Sequence, residues 1–68
     1  MKRFHLQRHS DPDGVSGTGI VAEGIQFSDG VAVLRWRTKV PTTVVHDGGV
    51  VSVRQIHCHD DTTVVWHS

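Results

Sequence analysis

The sequence predicts an all-β fold, a small antiparallel barrel or sandwich of about five or six short strands with at most one short helical turn. Runs rich in β-branched and aromatic residues alternate with turns that contain Gly, Asp or Pro. No window of about 11 residues carries a helical stripe of apolar residues. With 68 residues, the chain is expected to form one small β domain, residues 1–68, that buries only about 60% of its unfolded surface.

The first predicted elements are a strand and a loop. From Phe4 to Gln7 apolar and polar residues alternate, which is typical of a half-buried strand. The segment from Asp11 to Gly19 holds three glycines and a proline, so we expect a loop there.

A β-hairpin from Ile20 to Arg37 is the clearest local prediction. Two apolar runs flank Asp29-Gly30, and an Asp-Gly pair between such runs is a strong hairpin signal because Gly accepts a positive φ. A two-residue loop would place Phe27, Ile25, Ala32, Leu34 and Trp36 on one face. In that register Phe27 faces Ala32, Ile25 faces Leu34 and Glu23 faces Trp36.

A second register is possible for the same hairpin. A three-residue loop at Ser28-Asp29-Gly30, with Gly30 as a bulge, would pair Ile25 with Val33 and Glu23 with Arg35. The ion pair is worth about 0.2–1 kcal/mol, whereas burial of each Leu or Phe is worth about 1.5–3 kcal/mol. We therefore favour the first register, in which Arg35 and Arg37 point outward.

Three further segments complete the predicted sheet. Thr42 to His46 and Thr62 to Trp66 are β-branched strands, and Pro41 before the first of them cannot donate a ladder hydrogen bond. Asp47-Gly48-Gly49 forms a turn. Val50 to His57 is a strand by residue type, with a short helical turn as the alternative. We expect the aromatic core to consist mainly of Phe4, Phe27, Trp36 and Trp66.

Composition narrows the functional classes. Seven basic and seven acidic residues give a formal net charge of zero, so no global field attracts nucleic acid or an anionic membrane. The single Cys58 cannot form an internal disulfide, which favours a reducing compartment. No apolar signal core and no run of about 20 apolar residues is present. We expect a soluble, cytoplasmic protein.

The segment His57-Cys58-His59 is the densest cluster of chemically active side chains. In an extended chain His57 and His59 project to one side, and His46 from a neighbouring strand would complete a Zn²⁺ or Ni²⁺ site. Structural zinc sites usually need two ligand pairs, so a polar turn with surface histidines is the favoured interpretation and no cofactor is expected. Cys58 would point away from its neighbours and is expected to be an inert, buried thiol.

Two surfaces are candidates for binding. The loop at residues 13–19 matches neither a phosphate loop nor a nucleophile elbow, but the hydroxyls of Ser16 and Thr18 could hold an anion or a partner's backbone. Basic residues beside aromatic ones could bind single-stranded nucleic acid, although acidic residues dilute the stripe and a solvated face is favoured. The stripe comprises Arg35, Arg37, Lys39 and Arg54.

Nearly the whole chain resembles a known group of proteins. The block Val-Ser-Gly-Thr-Gly, Ala-Glu-Gly and Phe-Ser-Asp-Gly within residues 15–30 continues to Leu34-Arg35-Trp36 and Ile56-His57-Cys58-His59. This pattern is similar to that of short β-rich proteins of actinobacteria, haloarchaea and their phages. In that group a Gly stands where this chain has Cys58, which argues against a catalytic Cys58. The resemblance implies a phage or accessory-gene origin and no particular activity.

The first hypothesis is a non-enzymatic module that binds a host or phage protein and self-associates, with a homodimer as one possibility. Small size, absent catalytic groups and strand edges that need cover support it. The alternative is a histidine-based metal- or ligand-binding protein, and the second alternative is a nucleic-acid-binding barrel. Enzyme activity is not expected, because so short a chain leaves little room for a cleft of about 300 Å³ unless a dimer builds it.

Overall fold

The computed structural model describes residues 1–9, 18–58 and 61–67. The elements, in chain order, are β1 Lys2–Arg8, β2 Gly19–Gln26, β3 Ala32–Trp36, β4 Thr43–His46, α1 Gly49–His57 and β5 Thr62–Trp66. All neighbouring strands pair antiparallel in one five-stranded sheet with the order β4-β3-β2-β1-β5. The prediction of a mostly β fold with about five strands is confirmed.

The sheet is open, so the predicted closure into a barrel or sandwich is wrong. Within the described residues, β4 and β5 lie at opposite edges and do not pair with each other. Helix α1 packs against β3, β4 and β5 instead. One sheet face is therefore buried under a helix, which replaces the burial that closing a barrel would supply.

The predicted strand at Val50 to His57 is also wrong, because these residues belong to α1, as the alternative prediction of a helical turn had it. Val50 and Val53 are three positions apart, so they share one side of a helix. Both are buried, while Val51 and Ile56 are exposed. The β-branched composition favoured a strand by residue type, but burial of this valine pair against the sheet outweighs the small difference in propensity.

The core lies between α1 and the covered face of the sheet. Gly24 has no side chain, and this leaves space in the core for the ring of Phe4, the residue that pairs with it on β1. A Cβ at Gly24 would collide with that ring. The ring thus lies over the glycine and fills its place in the sheet. The buried apolar residues are Phe4, Leu6, Ala22, Ala32, Leu34, Val50 and Val53.

The hairpin of β2 and β3 has the register that we disfavoured. Ile25 pairs with Val33 and Glu23 with Arg35, so pairing of Ile25 with Leu34 and of Phe27 with Ala32 is wrong. The loop has three residues and ends at Gly30, whose φ is 97° and whose amide donates to the carbonyl oxygen of Phe27 over 2.9 Å.

The favoured register is wrong because Ile25 and Phe27 do not lie on the buried face. The covered face instead takes Ala22 and Gly24 from β2, and the ring of Phe4 on β1 occupies the space above Gly24. Phe27 is 40% exposed. A side chain of β1 thus fills the core space above a small residue of β2. A comparison of β2 with β3 alone does not show this.

The predicted aromatic core is only partly correct. Phe4 is buried, Trp36 is half-buried, and Phe27 and Trp66 are each 40% exposed. Trp66 lies against Phe4 with ring centroids 5.4 Å apart, so it covers the edge of the core. Phe27 belongs to the opposite side of the sheet.

A bulge in β2 decides the direction of two apolar side chains. The pairing shifts between Leu6, opposite Ala22, and Gln7, opposite Ile20, which leaves Val21 as the extra residue. Val21 packs against the core, and Ile20 is 42% exposed.

No helix in the described part of the chain is long and apolar enough to cross a membrane.

Candidate functional site: the open sheet face

The sheet face opposite α1 carries a candidate binding site, and we call this surface the open face. A groove of about 550 Å³ runs along it, so the expectation that so short a chain leaves little room for a cleft of about 300 Å³ is wrong. The side chains of this face alternate along each strand with those of the core. The groove is lined by Arg3, Phe4, His5, Ile20, Glu23, Gly24, Ile25, Phe27, Val33, Arg35 and His67.

Strand register arranges the open face in rows that cross the sheet. The apolar row consists of Ile25, Val33 and Val45, which pair successively across β2, β3 and β4. Val45 is 59% exposed. Three apolar side chains side by side on an uncovered surface form a contiguous patch, the kind of feature that marks interaction sites.

The adjacent polar row consists of His5, Glu23, Arg35 and Thr43. Glu23 and Arg35 are paired across β2 and β3, so opposite charges lie side by side near the middle of the face. The guanidinium of Arg35 donates through Nη1 to Oγ1 of Thr43 over 2.8 Å. This bond restrains the arginine and keeps its charge over the sheet.

Two histidines lie at the β1 and β5 side of the open face. Nδ1 of His5 and Nε2 of His67 are 2.7 Å apart, a hydrogen bond in which one ring donates to the other. The ring centroids are 5.0 Å apart. The pair ties the end of β5 to β1 and adds a polar margin to the apolar groove.

The predicted binding residues are divided between two places. Arg35 lies on the open face, whereas Thr18 and Arg37 line a second groove of about 550 Å³ with Arg8 and Lys39. Ser16 lies outside the described residues. The basic stripe is divided too, because Arg54 is on the exposed side of α1, across the sheet from Arg35.

The buried side of the molecule brings together two of the three predicted metal ligands. His46 is 6% exposed, its Nδ1 lies 3.3 Å from Oγ of Ser52, and its ring meets His57 edge-on at 5.2 Å. His59 lies outside the described residues. Among the residues that are described, no group of three or more His, Cys, Asp or Glu could hold a metal ion.

The route by which the two histidines meet differs from the predicted one. The prediction placed His57 on a strand, yet His57 ends α1, where its ring also contacts Trp36 at 4.9 Å in an edge-on arrangement. A helix that returns over the sheet from β4 brings His57 back to His46. The sequence signal for this contact is the three-residue spacing of Val50 and Val53, which is typical of a helix. The strand prediction did not use it.

Cys58, directly after α1, is a free and half-buried cysteine that packs against the core. Burial raises the pKa of its thiol, and the nearby charge of Arg54 partly opposes that rise. A raised pKa leaves less thiolate at neutral pH, and the thiolate is the reactive form. This environment favours a packing role for the sulfur.

A family model described as Acb5 phage protein matches residues 1–68. The chain belongs to the Acb5 phage protein family. The phage association expected from the resemblance is thereby confirmed, while the sequence pattern on which that expectation rested is not tested by the match. In comparisons with curated proteins and with solved structures, no significant match was found.

Sequence reasoning missed most of the open face of this Acb5 family protein. Ile25 and Phe27 were assigned to the core, and Ile20 was not considered as a surface residue. The signal that could have found them is the pair of small residues, Ala22 and Gly24, which leaves one side of β2 without bulk. A large side chain from another strand must then fill that side.

Proposed function

We propose that this Acb5 family protein is a non-enzymatic interaction module that binds a protein of phage or host origin through its open face in the cytoplasm. The observation that carries the proposal is the apolar row of half-buried Ile25 and Val33 and exposed Val45, next to the charged pair Glu23 and Arg35. An apolar centre with a polar margin is the usual anatomy of a protein interface.

Capture from infected host cells tests this proposal. The bait is the full chain, and the variant Val33→Lys places a charge in the apolar row. The matched control is Val51→Lys, since Val51 is 64% exposed on α1, across the sheet from the open face. We expect a phage or host protein that the wild type and Val51→Lys retain and Val33→Lys loses.

Capture that is identical for all three baits would contradict the proposal, as would the absence of any specific protein on the wild-type bait. Circular dichroism of each bait establishes that the variants are folded. Because Val33 lies outside the buried core, the lysine side chain can extend into solvent without disturbing the packing beneath α1.

A second candidate function is binding of Zn²⁺ or Ni²⁺ by His46 and His57. The observation in its favour is that Nε2 of His46 is buried and has no hydrogen-bond partner among the described residues. Ser52 at the other ring nitrogen resembles the outer partner that commonly orients a ligating histidine. Imidazole is a suitable ligand for either metal.

A thermal shift experiment tests the metal candidate. Zinc at about 100 times its dissociation constant would stabilise the fold by about 2.7 kcal/mol, and His46→Gln would abolish that gain. His9→Gln is the control because His9 is exposed at the end of β1. A melting temperature that neither zinc, nickel nor a chelator changes would rule this candidate out.

A further inference from the structure

The central two strands of the open face are complementary to themselves. On β2 the acidic Glu23 lies two positions before the apolar Ile25, and on β3 the basic Arg35 lies two positions after the apolar Val33. Register places the two apolar residues in one row and the two charges in the next. Each strand thus offers an apolar contact and one charge, and the charges have opposite signs.

This pattern fits a two-fold axis that runs parallel to the strands, midway between β2 and β3. Rotation about such an axis keeps each residue at its height along the strand and places β2 of one copy over β3 of the other. Ile25 then meets Val33 of the second copy, and Glu23 meets Arg35 of the second copy, each twice. An axis over β2 itself would stack Glu23 on Glu23, which is unfavourable.

We propose that the occupant of the open face is a second copy of this chain, packed face to face as a symmetric two-sheet sandwich. The inference rests on the proposed function, since it specifies the protein that the open face binds. Such interfaces are isologous, so the same patch serves both copies. Aligned sheets pack about 10 Å apart, with their mean strand directions within about 30° of each other.

The size of the overlap sets the expected affinity. Four strands of each copy overlap, and they span roughly 19 Å across and 17 Å along the strands. This is a small interface, of the size found in weak, transient complexes. We therefore expect a dissociation constant in the micromolar range. The bond from Arg35 to Thr43 restrains the guanidinium before association, which reduces the entropy lost on binding.

Sedimentation velocity on the full chain over a micromolar concentration series tests the proposal. We expect the wild type and Val51→Lys to form dimers and Val33→Lys to remain monomeric. The two variants carry the same substitution on opposite sides of the molecule. Their comparison therefore separates a defect of the open face from a general effect of added charge.

A charge exchange tests the contact itself and does not depend on Val33→Lys. Glu23→Arg makes the charged pair wholly basic, and Arg35→Glu makes it wholly acidic. Each variant alone should dimerise about tenfold more weakly because like charges meet. An equimolar mixture should recover dimers, as heterodimers. The cross-strand pair within each chain stays broken in the mixture, so recovery reports contact between chains.

Two results would overturn the proposal. One is a wild-type chain that stays monomeric throughout the concentration series. The other is a dimer that persists in Val33→Lys and in both charge variants, which would indicate pairing through the edge strands β4 or β5. A monomer that still captures a protein in a Val33-dependent manner would refute the second copy alone. A monomer without such capture would refute the proposed function as well.

Discussion

The covered face and the open face of the sheet are built from the same strands, yet they differ in how they reach an apolar surface. On the covered face, Phe4, Leu6 and Leu34 are at most 1% exposed, and small residues beside them leave room for α1. On the open face, apolar side chains stand beside charged ones, and Val45 is 59% exposed. The difference shows that apolar alternation alone does not identify the core.

Small residues explain which face the helix covers. Ala22 and Ala32 are wholly buried, and Val53 of α1 is wholly buried in the same cluster. A helix approaches a sheet closely where side chains are short, because its own side chains then fill the layer. The other face of β2 and β3 carries larger side chains, namely Ile25, Val33 and a charged pair, so a helix cannot approach its backbone as closely.

The comparison is tested most strongly by truncating one residue on each face. Phe4→Ala should destabilise the fold by about 3–5 kcal/mol, the usual loss for a buried Phe. Val33→Ala should reduce stability by less than about 1 kcal/mol. Urea denaturation measures both, at a concentration where the chain is monomeric. A domain of this size has little stability to lose, so Phe4→Ala is expected to be largely unfolded.

The contrast would fail if Val33→Ala destabilised the monomer as much as Phe4→Ala does. That outcome would mean that the open face contributes to the core of the isolated chain. A larger effect of Val33→Ala at concentrations that favour dimers, by comparison, would agree with the inferred sandwich, because dimerisation stabilises the folded chain by mass action.

The second largest effect is expected at Gly24. A Cβ at this position would lie 2.7 Å from Cε1 of Phe4, and Phe4 is only 1% exposed, so its ring cannot move aside freely. Gly24→Ala should destabilise by about 3 kcal/mol through overpacking. Thermal denaturation followed by circular dichroism measures the change.

A double variant separates overpacking from other effects of Gly24→Ala. The smaller side chain in Phe4→Leu should make the added methyl group less harmful, so the two substitutions should be clearly non-additive. Additive losses would show that Gly24 acts through backbone conformation alone. They would also contradict the explanation that packing of the Phe4 ring over Gly24 sets the register of β2 and β3.

The strands and turns were predictable from the sequence because their signals are local. The β-branched runs of β2, β4 and β5 and the turn at Gly30 are features that a few neighbouring residues determine. The register was not predictable from the hairpin alone, since the ring that fills the space at Gly24 comes from β1. Likewise, α1 depends on Val50 and Val53 finding the sheet, and residue type there favoured a strand.

The candidate site was predicted less well than the fold, for a related reason. Arg35 and the pair of His46 and His57 were selected by residue type, and the structure places each of them in a definable environment. The apolar row on the open face could not be selected, because apolar residues on strands are ordinarily assigned to a core. Only the position of the helix shows that this row is uncovered.

The third prediction concerns the contact between α1 and the hairpin loop. Gly49 has a φ of 72°, and a Cβ on it would collide with the carbonyl oxygen of Gly30. Gly30 also has a positive φ but has open space around it. Gly49→Ala should destabilise by about 2 kcal/mol and Gly30→Ala by about 1 kcal/mol.

Because both glycines carry similar backbone strain, the difference between the two variants measures the crowding at the start of α1. Chemical denaturation of the two proteins side by side gives that difference. Equal losses would show that α1 does not press on the loop, and would weaken the account of how the helix is positioned over the covered face.

The smallest expected effect is on the rate at which Cys58 is alkylated. Cys58 is partly buried and packs against the core at the end of α1. Since burial raises the pKa of this thiol, alkylation by iodoacetamide at neutral pH should be slower than in the urea-unfolded chain. Arg54→Gln should slow it further by a modest factor, because the charge of Arg54 lowers the pKa. Arg3→Gln, on the open face, is the control and should leave the rate unchanged. A folded chain that reacts as fast as the unfolded one would show that α1 and the sheet do not shield the sulfur. Cys58 would then not belong to the covered face.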